Sequence, residues 1–78
     1  MSRLELEVIS QILTEFAFGY KAEELLLIVN SADFHALCAA NLIKLEKTLT
    51  GEFPYCMNVR VRIAGTKCAP EVVQRVFL

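Results

Sequence analysis

Nine consecutive residues, Tyr55-Cys56-Met57-Asn58-Val59-Arg60-Val61-Arg62-Ile63, alternate strictly between two sets of side chains. A period of two is the signature of a strand with one buried face. Tyr55, Met57, Val59, Val61 and Ile63 are expected to face a core, and Cys56, Asn58, Arg60 and Arg62 to face away from it. Such a strand makes two demands on the rest of the chain. Its apolar side must be covered, and its backbone donors and acceptors must find a neighbouring strand.

Helices are available for the cover. Ser2 and Glu5 fit the capping box S-x-x-E, which satisfies orphan amides at a helix start. Leu6, Ile9, Leu13, Phe16 and Tyr20 then recur at three- and four-residue spacing, with Leu4, Val8 and Ile12 as a second stripe beside them. Gly19 is a natural left-handed stop, so a helix is expected over about 3–18. Further on, Asn30 or Ser31 can cap a second helix, and Phe34, Leu37, Cys38, Asn41, Leu42, Leu45 and Leu49 trace its apolar stripe. This helix is expected over about 32–50, ending at Gly51.

Two segments are ambiguous by pattern. Leu25-Leu26-Leu27-Ile28-Val29 is too continuously apolar to have one exposed face, and reads as either a short central helix or a buried strand. In the tail, Pro70 and Glu71 favour a helix start while Val72, Val73, Val76 and Phe77 favour strand. A short helix is the expectation for 71–78. With the tail helical, the strand at 55–63 lacks a sure partner within the chain, and pairing with a second copy would supply one. The fold expected is therefore α+β, with two or three helices on one face of a small antiparallel sheet completed by dimerisation. Leu13, Phe16, Leu37, Leu45, Val59 and Val61 are expected in its core.

Size and composition support the same picture. The 78 residues allow one small domain, 1–78. Burial of its apolar surface is worth about 120 kcal/mol, and ordering the chain costs about the same. A fraction of 55% hydrophobic residues and a mean hydropathy of +0.45 leave more apolar surface than so small a domain can hide. A homodimer or a protein partner answers that excess.

Charge and cysteine usage narrow the function classes. Eight basic and nine acidic residues give a net charge of −1, without the basic excess of a nonspecific nucleic-acid binder. The acids Glu5, Glu7, Glu15, Glu23, Glu24 and Asp33 lie in the first half. Lys44, Lys47, Arg60, Arg62, Lys67 and Arg75 lie in the second. No run approaches the roughly 18 apolar residues of a membrane span, and acids at Glu5 and Glu7 interrupt the apolar core a signal peptide needs. The expectation is a cytoplasmic protein with no membrane contact. Cys38, Cys56 and Cys68 are odd in number and contain no C-x-x-C pair, so free thiols are expected.

Candidate chemistry is sparse. His35, Cys38, Cys56 and Cys68 form the ligand inventory of a Cys₃His zinc site, with His35 and Cys38 one turn apart. The paired-cysteine knuckle is missing and Cys38 sits in an apolar stripe, so no metal and no cofactor are expected. His35 with Cys38 lacks any orienting group or oxyanion device, and the three glycines form no phosphate-binding loop. A helix-turn-helix beginning near Tyr20 would push Glu23 and Glu24 against phosphates. No enzymatic activity is expected. What remains is the polar side of the strand, where Asn58, Arg60 and Arg62, with Lys67 after the next turn, form the candidate partner-binding set. The functional expectation is a small interaction protein that inhibits or adapts another macromolecule, of the kind carried by phages and other mobile elements. The alternatives are a nucleic-acid-binding dimer using the strand arginines and a zinc-stapled Cys₃His module.

Overall fold

The first helix, α1 (Arg3–Ala17), begins where its cap places it. The Ser2 hydroxyl accepts from the Glu5 N–H at 3.2 Å and donates to the Glu5 carboxylate at 3.0 Å. The helix closes on a Schellman turn: Gly19 adopts φ +97°, its N–H donates to Phe16 O at 3.0 Å, and the Tyr20 N–H reaches Glu15 O at 3.2 Å. The structure, a computed structural model, describes residues 1–65 and 67–75. Of the two apolar stripes on α1 the second one is buried. Val8 and Ile12 are fully covered, whereas Leu6 and Leu13 are half exposed, so Leu13 is not a core residue.

A 3₁₀ turn (Ala22–Glu24) leads into β1 (Leu25–Val29), which settles the ambiguous apolar run as a strand. The second helix, α2 (Ser31–Ala39), is half the expected length. Asn30 caps it, its Oδ1 accepting from the Asp33 N–H at 2.8 Å. The helix ends on a second Schellman turn built around Asn41, at φ +63°. Here the Asn41 N–H donates to Cys38 O, and the Leu42 N–H to Leu37 O, both at 3.0 Å. Asparagine is one of the few side chains tolerated in that left-handed position. Residues 43–50, expected to continue the helix, instead form β2 (Ile43–Thr48) and a tight turn into β3 (Gly51–Cys56). Leu45 and Leu49, read as helical stripe residues, are solvent-exposed, so Leu45 also leaves the expected core.

The alternating run 55–63 is not one strand. Met57 and Asn58 both take positive φ, +52° and +68°, and make a two-residue turn between β3 and β4 (Val59–Ile63). This is the type I′ geometry whose twist matches a hairpin. Across it Cys56 stands opposite Val59, and Tyr55 opposite Arg60. The facing is therefore inverted on the β3 side. Cys56, expected outside, is fully buried with Val59 and Val61, while Tyr55 shares the outer face with Arg60. The tail also departs from expectation. Glu71–Gln74 is a strand, β5, rather than a helix, and the expectation for 76–78 lies outside the described residues.

The five strands form one open sheet in the order β2-β3-β4-β1-β5. It is mixed rather than antiparallel, because β1 and β4 run parallel while the other neighbours are antiparallel. Both helices contribute to a single core on one side, formed by Val8, Ile12, Leu25, Leu27, Val29, Leu37, Ile43, Cys56, Val59 and Val61. The expected core residues Leu37, Val59 and Val61 are among them, and Phe16 packs against them half-buried. The α+β class with two helices on a sheet face thus holds.

The missing strand partner lies inside the chain. β4 is flanked by β3 and β1, so its pairing does not call for a second copy. The β5 edge is also occupied: the Gln11 side chain of α1 donates to Pro70 O at 2.9 Å and accepts the Val72 N–H at 3.1 Å. One glutamine amide thereby takes the place of a neighbouring strand on a liable edge. The opposite edge, β2, carries Lys44, Glu46 and Lys47.

Candidate functional site

Strand alternation fixes which side chains share the face that the helices leave bare. Leu25, Leu27 and Val29 point into the core, so Leu26 and Ile28 point away from it. Register then assembles one outer row across the whole sheet: Lys44, Tyr55, Arg60, Leu26 and Val73. A second row contains Glu46 and Phe53 on the β2–β3 side, and Arg62, Ile28 and Glu71 on the other. The apolar continuity of β1 is the sequence pattern of a strand covered on both faces. Among the described residues only one of its faces has helices packed on it.

Pro54 opens this face. In the hairpin pattern, the next hydrogen-bonded pair after Cys56 and Val59 would be Pro54 and Val61. Proline has no N–H to give, and the β3–β4 register stops at Tyr55 and Arg60. The β2–β3 hairpin continues paired out to Gly51 and so parts from β4 as a fork. A cleft of about 420 Å³ lies there, with Leu26, Pro54 and Ile63 among its apolar lining residues.

Three arginines line the same cleft: Arg60, Arg62 and Arg75. No acid is among its lining residues. Arg60 and Arg62 are two residues apart on β4, about 6.6 Å along the strand. Arg60 also stacks on the ring of Phe53, its guanidinium carbon 3.7 Å from the ring centroid, which fixes the side chain through a cation–π contact. Arg75 arrives from the far side of β1. Its backbone N–H donates to Glu24 O at 2.7 Å, extending the β5 ladder by one bond and holding Arg75 beside Leu26.

The expected site residues separate into groups. Arg60 and Arg62 share the outer face, as their spacing implied. Asn58 lies in the β3–β4 turn at one end of β4, and Lys67 lies in the loop beyond its other end, so the four do not form one cluster. Arg75 belongs to the site and was not singled out, because its position depends on β5 docking against β1.

Lys67 instead lines a second, larger groove of about 760 Å³ with Asn30, Asp33 and Cys68. This groove sits where the parallel strands β1 and β4 end and α2 begins, a common ligand location in α/β sheets. Its polar groups already serve each other. The Asn30 amide donates to Asp33 Oδ2 at 3.0 Å and to Cys68 O at 2.9 Å, and the Asp33 carboxylate lies in the first turn of α2.

The four candidate zinc ligands are dispersed. His35 is exposed on α2, edge-on to the Phe34 ring, while Cys56 is buried in the core. Cys38 and Cys68 are half-buried on different elements. Among the described residues no three of His, Cys, Asp or Glu gather closely enough to hold a metal. The three cysteines are free, and burial pushes the Cys56 thiol up to about 11, which suppresses the reactive thiolate. Among the described residues no helix is long and apolar enough to cross a membrane.

Compared with protein-family models, with curated proteins and with solved structures, the chain matches none.

Proposed function

We propose that this chain is a small non-enzymatic interaction protein that binds another macromolecule through the helix-free face of its sheet and thereby inhibits it or adapts it to a further partner. One observation carries the reading: three of the four arginines in the sequence converge on one cleft of that face, with no acid among its lining residues. Like charges held side by side at a partly exposed surface repel one another, and a partner that supplies the counter-charge relieves that repulsion. The apolar strip of Leu26, Ile28 and Val73 beside the arginines adds the contact area on which binding energy is built.

The test is affinity capture by the tagged chain from a lysate of its source cells, with and without nuclease, alongside an Arg60→Glu, Arg62→Glu double variant. The variant should keep its circular-dichroism spectrum, since neither guanidinium enters the core. It should lose at least tenfold in partner affinity, about 1.4 kcal/mol. Capture that is unchanged by both charge reversals would remove the face from the function.

A further inference from the structure

The cleft at the β3–β4 fork displays more than positive charge, and this narrows the partner. Resting on the docking reading above, we infer that it is a binding site for single-stranded nucleic acid, in which Arg60, Arg62 and Arg75 contact phosphates and the Phe53–Tyr55 side of the fork stacks a base. Guanidiniums match phosphate oxygens in bidentate geometry, and three of them line this one cleft. Phe53 and Tyr55 sit at alternate positions of β3, hence on the same face, half-buried and next to the arginines. Arg60 lies on one side of the Phe53 ring at 3.7 Å. Aromatic rings and arginine guanidiniums are both stacking partners for an unpaired base. An acidic peptide would use the cations but has no use for the rings.

Charge is arranged across the molecule to suit such a ligand despite a net charge of −1. Of the nine acids, Glu5, Glu7 and Glu15 lie on α1, Glu23 and Glu24 on the 3₁₀ turn, Asp33 on α2, and Glu52 on β3 at a position that alternates to the Cys56 side, opposite Lys47. On the sheet face the acids Glu46 and Glu71 are confined to the two edge strands, while the central strand β4 carries Arg60 and Arg62. The centre of the face is therefore positive along one strand, and the acids of the face stand only at its margins, with Lys44 beside Glu46 on β2. A duplex presents its bases already stacked and paired, and cannot offer one to the fork.

Fluorescence anisotropy with a labelled oligothymidylate of about a dozen nucleotides tests this, because single-strand sites typically span about 4–16 nucleotides. The full chain should bind it more tightly than a duplex of equal length. Raising salt between roughly 50 and 200 mM should weaken binding, and an Arg60→Gln, Arg62→Gln, Arg75→Gln variant should flatten the log–log salt slope by about 2, or 0.7 per lost phosphate contact. The same variant should lose about tenfold or more in affinity while keeping the parent's circular-dichroism spectrum, and Phe53→Leu should lose affinity with an unchanged salt slope. Oligothymidylate binding that the triple variant retains in full overturns the inference. Poly-glutamate binding in place of the oligonucleotide also overturns it, while leaving the docking face intact with an acidic protein segment as its partner. If neither polymer binds, the nucleic-acid inference falls, and the nuclease-treated capture experiment alone decides whether the face docks a protein or a second copy of this chain.

Discussion

Gln11 holds the β5 edge of the sheet with a single side chain. It is half-buried on α1, and its amide makes two hydrogen bonds to the free edge of β5, at 2.9 Å to Pro70 O and 3.1 Å from the Val72 N–H. Replacement by alanine leaves the carbonyl of the buried Pro70 and the amide of the half-buried Val72 without this partner. Each such bond is worth about 0.5–1.5 kcal/mol net, so Gln11→Ala should cost about 1–3 kcal/mol. Against a total stability of about 4–12 kcal/mol for 78 residues, that is a large share. With an unfolding entropy of about 2.1 cal/mol/K per residue, 1 kcal/mol corresponds to about 6 °C, giving a fall in melting temperature of about 6–18 °C. Urea denaturation followed by circular dichroism measures it, with the slope unchanged because the surface exposed on unfolding is the same. Gln11→Glu separates the bond pattern from packing. Its carboxylate can accept from Val72 but repels the Pro70 carbonyl, and protonation near pH 4 restores a donor. The deficit of Gln11→Glu should therefore shrink on acidification, whereas that of Gln11→Ala should not. A loss below about 0.5 kcal/mol for Gln11→Ala would mean that water serves the β5 edge equally well, and the edge-capping argument would fail.

Leu37→Ala removes a fully buried side chain and should cost about 2–5 kcal/mol in chemical denaturation, whereas Leu45→Ala, 64% exposed, should cost less than about 0.5. Asn58→Gly should be near neutral and Asn58→Val should destabilise by about 1–2 kcal/mol, because φ +68° excludes a β-branched residue; equal effects would remove the left-handed turn. The Cys56 thiol is raised to about 11 by burial, so the folded state holds its proton more tightly than the unfolded chain. Its contribution is complete below about pH 9 and is lost as pH rises toward 11, by at most about 3 kcal/mol. A Cys56→Val variant should lack that part of the alkaline decline, and an identical decline in both proteins would show that other groups cause it.

Local chemistry was sufficient wherever a residue acts on its own neighbours. The extent of α1 followed from Ser2, Glu5 and Gly19, because caps and stops operate within one turn. The pairing of Arg60 and Arg62 on one outer face followed from a spacing of two, which any strand imposes. Patterns that two structures satisfy equally were decided only by the tertiary fold. The apolar spacing of Leu37, Leu42, Leu45 and Leu49 suits a helix, yet Asn41 turns left-handed and Ile43 pairs with Cys56, so the chain gains sheet bonds where the helix would have continued. The alternation of 55–63 persists through the Met57-Asn58 turn because a two-residue loop keeps period two in sequence while reversing the chain in space. Nothing local marks that reversal as compulsory. Arg75 entered the site for a similar reason. Residues far apart in sequence meet there because β1 accepts β4 on one side and β5 on the other. That choice depends on backbone hydrogen bonds between remote segments, and the identity of a side chain carries almost no information about which remote backbone it will lie beside.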